Sequence, residues 1–240
     1  MLNPLQQFEI YSVFNFSIAG HNFVITNSTI AMLCAYLILL MLCCVACFKV
    51  RLIPNKVQVC GEAIFEMIDG LLYATASKNS QNFRPLVFTL FSFILISNSI
   101  GLIPIAFTTT SHISITFALA AFVFVLITLI GFIKNGVKYL QILLPKGTPI
   151  ILAPLMIVIE LFAYLARPVS LSIRLAANMT AGHVVLKVLA TFVISSGFLG
   201  FLPFILLTIL TGFEIFIAAL QAYIFSVLTC AYLSDALNLH

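Results

Sequence analysis

The sequence predicts an all-α integral membrane protein. The expected order is one N-terminal transmembrane helix, an interfacial amphipathic helix, a transmembrane helical hairpin and two long final helices. Three observations carry this. Hydrophobic residues make up 62% of the 240 residues and charged residues 8%, against about 45–50% and about 25% in a soluble domain. Several apolar runs reach the ~20 residues that cross a bilayer as a helix. The cations are grouped: none precedes Lys49, a cluster spans Lys49, Arg51, Lys56, Lys78 and Arg84, none lies in 85–133, and Lys134, Lys138 and Lys146 follow.

Residues 1–28 are polar enough to lie at the membrane surface, and they lack the basic start and continuous apolar core of a secretion signal. Residues 29–48 form the first span, stopped by Lys49 and Arg51, which belong on the inner side. Residues 57–77 are too polar to span. Glu62, Glu66 and Asp69 share one face and Cys60, Ile64, Ile68 and Leu71 another, the pattern of a helix lying along a surface or a partner. A hairpin occupies 86–133, with spans at about 86–105 and 113–133 joined by the cation-free "FTTTSH". Both of its basic ends then face inward, together with 49–84 and 134–146.

The last part, 150–236, is different. Ile150 to Lys187 reads as helix, and 38 residues would measure about 57 Å against a hydrocarbon core of about 30 Å. Such a helix inclines, bends or breaks, with Pro154 and Pro168 as candidate kinks. The segment from Pro203 to Ala236 poses the same problem. The turn between them holds Gly197 and Gly200 and no cation, which suits the outside. The whole chain, 1–240, is a single membrane domain.

A polar stripe runs through this apolar region. Glu160, Arg167 and Arg174 are spaced by seven, with Asn178 and the small Ala181 continuing the same face. Ser170 lies one turn before Arg174, and Thr180 points away. His183, nine residues after Arg174, falls about 180° round an ideal helix. On the last helix Glu214, Gln221 and Asp235 are separated by seven and fourteen, with Tyr232 on the same face. Polar groups at such depth face a cavity or one another. Arg167 can pair with Glu160 or snorkel, Lys187 can snorkel, and Asn178 and Gln221 can serve as interhelical hydrogen bonds. Arg174 has no acid within one turn and lies far from both ends. It requires compensation from outside its own helix. Arginine keeps its proton at physiological pH, so it acts as a fixed charge, whereas His and Glu can relay protons.

Other chemistry is poorly supported. Cys44 and Cys47 form C-x-x-C, but no second pair completes a metal site. No phosphate-binding G-x-x-x-x-G-K-[ST] occurs, so the chain carries no ATP chemistry. A haem subunit needs paired intramembrane histidines, and only His183 lies within the apolar region. A secondary transporter often shows internal repeats with broken helices, and none is evident. No metal and no cofactor are expected.

The blocks "IELFAYLARPVSLSIRLAANMTAGH", "GFEIFIAALQAYIFSVLTCAYLSDA" and "LVFTLFSFILISNSIGLIPIAF" closely resemble subunit a of the F-type ATP synthase, the stator half of its membrane motor. The resemblance covers most of the chain. It implies that the last two helices are inclined and curve around the c-ring, the ring of subunit c. It implies contact with subunit b of the stator stalk and the remaining synthase subunits, a lipid bilayer, and no nucleic acid. Arg174 matches the essential arginine that deprotonates the ring carboxylate and blocks leakage between two half-channels. Asn178 and Gln221 match polar residues near it. His183 and Glu214 match a pair of the outer half-channel, in the arrangement of the alphaproteobacterial and mitochondrial branch. Glu160 and Ser170 match positions toward the inner half-channel, and Asn98 a polar position on the hairpin. The implied ion is H⁺, and the implied location is a bacterial inner membrane or the mitochondrial inner membrane.

Overall fold

The computed structural model describes residues 9–18, 21–47, 56–75, 78–103, 107–143 and 152–238. Lys49, Arg51 and Lys146, which help to orient the chain, lie outside them, as do the first eight residues. Six α-helices dominate: α1 (Asn27–Cys47), α2 (Lys56–Thr75), α3 (Arg84–Gly101), α4 (Ile113–Asn135), α5 (Ala153–Ser195) and α6 (Phe201–Leu237). Five of the helical segments are long and apolar enough to cross a membrane, and α2 is not among them. The protein is thus an all-α integral membrane protein, with one addition. Within the N-terminal segment β1 (Ser12–Ile18) and β2 (His21–Thr26) pair antiparallel, Asn15 opposite Val24. This hairpin runs directly into α1, and Asn27 N–H donates to Tyr11 O across its base at 3.2 Å.

Helix α1 buries only Ala35 and Leu39 of its apolar residues and leaves the rest of its apolar surface outward, as a lipid-facing helix does. Helix α2 turns Ile68 and Leu72 into the core and keeps Glu62 and Glu66 exposed. Asp69 departs from that exposed acidic face: its carboxylate meets the Arg84 guanidinium at 2.6 Å and ties α2 to the start of α3. Arg84 opens α3 with Pro85 behind it, where a missing N–H costs nothing.

The core is the seam where α3, α4, α5 and α6 meet, holding Val87 and Ile94, Val123 and Ile127, Leu175 and Met179, and Phe225 and Leu233. Helix α6 supplies a strip at intervals of three or four: Glu214, Ala218, Gln221, Phe225, Thr229, Leu233 and Ala236, all buried. Ala218 and Ala222 are small enough to let neighbouring helices come close, the usual device of helix packing in lipid.

The two last helices are each continuous. At 43 and 37 residues they measure about 65 and about 55 Å, roughly twice the hydrocarbon core. Helix α5 runs on to Ser195, eight residues beyond Lys187, and carries Pro168 buried inside it without breaking. Gly197, at φ 53°, closes it in the left-handed conformation that suits glycine. Polar bonds cross-link the bundle. Thr180 Oγ1 donates to Ser111 O at 3.1 Å, joining α5 to the loop between α3 and α4. The Tyr164 hydroxyl lies 2.7 Å from that of Thr128 and 2.8 Å from that of Tyr139. Asn135 Nδ2 donates to Ala236 O at 2.7 Å.

Candidate functional site

Helices α5 and α6 run antiparallel, and their polar residues meet in three rungs. Nearest the C-terminal end of α5, in the outer rung of the expected orientation, His183 Nδ1 and Glu214 Oε1 lie 3.8 Å apart, both buried. One step along, Asn178 Nδ2 donates to Gln221 Oε1 at 3.0 Å. Toward the N-terminal end of α5, an Arg167 Nη donates to an Asp235 carboxylate oxygen at 3.1 Å. So Arg167 takes its partner from α6, not from Glu160 on its own helix. Glu160 stands partly buried seven residues earlier, and Ser170 is exposed.

Arg174 is the central residue of α5 and sits between the second and third rungs. It is exposed, as are its stripe neighbours Ser170, Ala177, Asn178 and Ala181. The opposite face, Leu171, Leu175, Ala176 and Met179, is packed into the bundle. Among the described residues no carboxylate or hydrogen-bond acceptor engages Arg174. Across from it α6 presents Phe225 and Ser226, both fully buried, and Ser226 Oγ is turned onto the Ala222 carbonyl.

Beside the outer rung lies a cleft of about 260 Å³ between α5 and α6, lined by Asn178, Ala181, Gly182, Val185, Phe213 and Glu214 among others. Glu214 approaches α5 so closely because residue 182 is glycine: a Cβ there would stand 2.6 Å from Glu214 Oε1. Neither carboxylate oxygen of Glu214 has a hydrogen-bond partner among the described residues, although both are buried. Such a group calls for water or a proton. Asn98, also fully buried, donates from Nδ2 to Ala218 O at 3.0 Å and so ties α3 to the same face of α6. Its Oδ1, like Gln221 Nε2, is left without a bond.

The structure therefore brings His183 to Glu214 and Asn178 to Gln221, and sets Asn98 behind Gln221. It keeps Arg174, Ser170 and Glu160 apart from these, along the exposed face. The Arg167–Asp235 rung is an addition to the expected site, and its signal was present in the placing of Asp235 on the α6 stripe. Of the tyrosines near Arg167, Tyr232 lies on the α6 stripe, whereas Tyr139 and Tyr164 carry no such signature.

Residues 29–234 match the family described as ATP synthase A chain. Over 240 residues the chain is 51% identical to a protein of Ehrlichia chaffeensis (strain ATCC CRL-10679 / Arkansas) named ATP synthase subunit a, covering 99% of each. The chain belongs to the ATP synthase A chain family, the subunit a of F-type ATP synthases.

Proposed function

We propose that this subunit forms two proton half-channels that meet at Arg174, the fixed charge that deprotonates a carboxylate on the rotating c-ring. The observation that carries this is the pairing pattern. Asn178 bonds to Gln221, Arg167 pairs with Asp235, and His183 and Glu214 face each other at 3.8 Å, whereas Arg174, at the middle of a membrane-crossing helix, has no acid or acceptor beside it among the described residues. A guanidinium in that position demands an anion from outside. A ring carboxylate passing the exposed face supplies it. Because arginine does not give up its proton, it attracts the ionised form of that carboxylate without serving as a carrier.

The outer half-channel runs through the cleft beside Glu214 and His183. Glu214 and His183 can each hold a proton, and the cleft holds water between them and the exposed face. The inner half-channel opens on the Ser170 and Glu160 side of Arg174. Phe225 and Ser226, fully buried on α6 between the Gln221 and Asp235 rungs, separate the two. A proton reaching the ring carboxylate from outside neutralises it and lets it move off into lipid. After a rotation it meets Arg174 from the inner side and releases the proton there. The membrane potential contributes about 2.3 kcal/mol per charge per 100 mV. The ring is the rotating partner and subunit b the stationary one. The setting is a bacterial inner membrane, with H⁺ as the ion.

The test is ATP-driven proton uptake by vesicles holding the assembled complex, wild type beside Arg174→Ala. Wild type pumps and the assembled variant does not. Coupled ATP synthesis by Arg174→Ala at the wild-type rate would refute the proposal.

A further inference from the structure

Arg167 stands on the same face of α5 as Arg174, seven residues closer to the inner end. Its surroundings are unlike those of Arg174. The guanidinium carbon lies 5.3 Å from the centre of the Tyr164 ring and 4.9 Å from that of Tyr232. Asp235 closes the site at 3.1 Å. The remaining space beside this cluster is about 10 Å³, room for about one water. On this enclosed side water does little to screen the Arg167 charge; on the open side, where the Arg167 and Asp235 side chains are 24% and 48% exposed, Asp235 shares the cancellation with solvent.

Resting on the function proposed above, we infer that Asp235 is a charge-cancelling residue. It neutralises Arg167, so that the ring carboxylate meets one uncompensated cation, Arg174, rather than two in succession. Seven residues of helix separate the two arginines by about 10 Å. At that distance, with an effective dielectric of about 20, an uncancelled unit charge changes a carboxylate's proton affinity by up to about tenfold, or about one pH unit. Without Asp235 the ring carboxylate would stay ionised past Arg174, and protons returning from the inner side would bind more weakly.

The neighbouring groups do not provide a substitute. The elements packed against the pair bring the Tyr139, Tyr164 and Tyr232 hydroxyls, the exposed cations Lys134 and Lys138, Glu160 two turns before Arg167, and Arg174 itself. Among the described residues Glu160 makes no ion pair. The cations would add to an uncancelled Arg167. Asp235 is the acid in contact with it.

The experiment uses inverted membrane vesicles carrying the whole complex, whose inner face meets the medium. ATP-driven proton uptake is followed against medium pH for wild type, Asp235→Asn, Arg167→Gln and the double variant, with assembly checked by immunoblot. The catalytic subunits are the same in all four, so their pH dependence cancels in the comparison. Asp235→Asn shifts half-maximal pumping toward acid by up to about one pH unit. Arg167→Gln, which leaves the Asp235 charge uncancelled, shifts it toward alkali. The double variant returns to the wild-type pH whatever its absolute rate. Two results overturn the inference: a double variant that stays shifted with Asp235→Asn, or an assembled Asp235→Asn that fails to pump at every pH. If Asp235→Asn does not assemble, Arg167→Gln and the double variant decide the matter by the same shifts. Loss of pumping by Arg174→Ala with four coincident profiles would reject this inference and leave the proposed function standing. Retained pumping by Arg174→Ala would reject the function first.

Discussion

Gly182→Ala tests whether the outer rung works by contact. The new Cβ would lie 2.6 Å from Glu214 Oε1, 3.0 Å from its Cδ and 3.3 Å from its Cγ. Ordinary contact lies at about 3.5 Å or more, so the carboxylate must retreat by about 1 Å. It has somewhere to go, because the cleft of about 260 Å³ lies alongside. The fold should therefore survive, with less than the roughly 1–3 kcal/mol of a sealed, overpacked core. The His183–Glu214 separation, at 3.8 Å already beyond the ~2.7–3.2 Å of a direct hydrogen bond, would open to about 5 Å. A bridging water must then span a longer and less well-held gap. A misplacement of 1 Å can cost about 10²-fold in a chemical step. Because water can enter here, we expect about a tenfold fall in passive proton conductance through the membrane sector at fixed potential. Glu214→Asp in the same background shortens the side chain by one methylene and should recover part of the loss. Wild-type conductance in Gly182→Ala, or no recovery in the double variant, would refute the contact argument.

Three more outcomes are expected. Glu214→Gln and His183→Ala, in complexes that assemble, slow ATP-driven pumping without abolishing it, since water and neighbouring groups substitute in part; complete loss in either would make that residue indispensable. Thr180→Val removes the bond to Ser111 O and should lower stability by about 0.5–1.5 kcal/mol, read as a lower Tm of the solubilised complex; an unchanged Tm would show that the bond contributes nothing. His112, stacked on Phe107 at 5.0 Å outside the spans, is held below its usual pKa of 6.5 by burial. Its stabilising contribution is complete above pH 6.5 and fades as pH falls through the lowered folded-state value, so His112→Phe should flatten the fall in Tm on acidification.

Much of the architecture could be read from composition and charge. The apolar runs and the clustered cations announce membrane helices and an orientation because lipid tolerates so few alternatives. The seven-residue spacing of Glu160, Arg167 and Arg174 puts them on one face before any packing is known. The spacing did not reveal partners. Arg167 looks toward Glu160 on its own helix yet meets Asp235, sixty-eight residues away, because only antiparallel packing of α5 on α6 brings them together. The Tyr164 hydroxyl contacts join residues of different elements by the same route. The N-terminal hairpin also escaped notice, since two strands of seven and six residues mixing Ser and Asn with Phe carry little period-two signal. The end of α5 was placed too early, at Lys187, because a cation near an apolar run reads as a boundary. Its aliphatic stem lets the helix continue.

The cross-links along α5 have a mechanical meaning. On the proposed function, the subunit as stator feels the reaction to every push it gives its rotor, and that force would fall sideways on the exposed face around Arg174. Helix α5 is braced from behind at intervals along its length. Thr180 is bonded to the outer loop, Tyr164 to Thr128 and Tyr139, and Arg167 to Asp235. Asn135 fastens the end of α4 to Ala236 nearby. These struts share shear among α4, α5 and α6 instead of leaving it to one long rod. Side-chain apolar contacts slide easily; directional bonds resist sliding. On that function, torque would pass to the frame instead of being lost as bending of the helix that carries the charge.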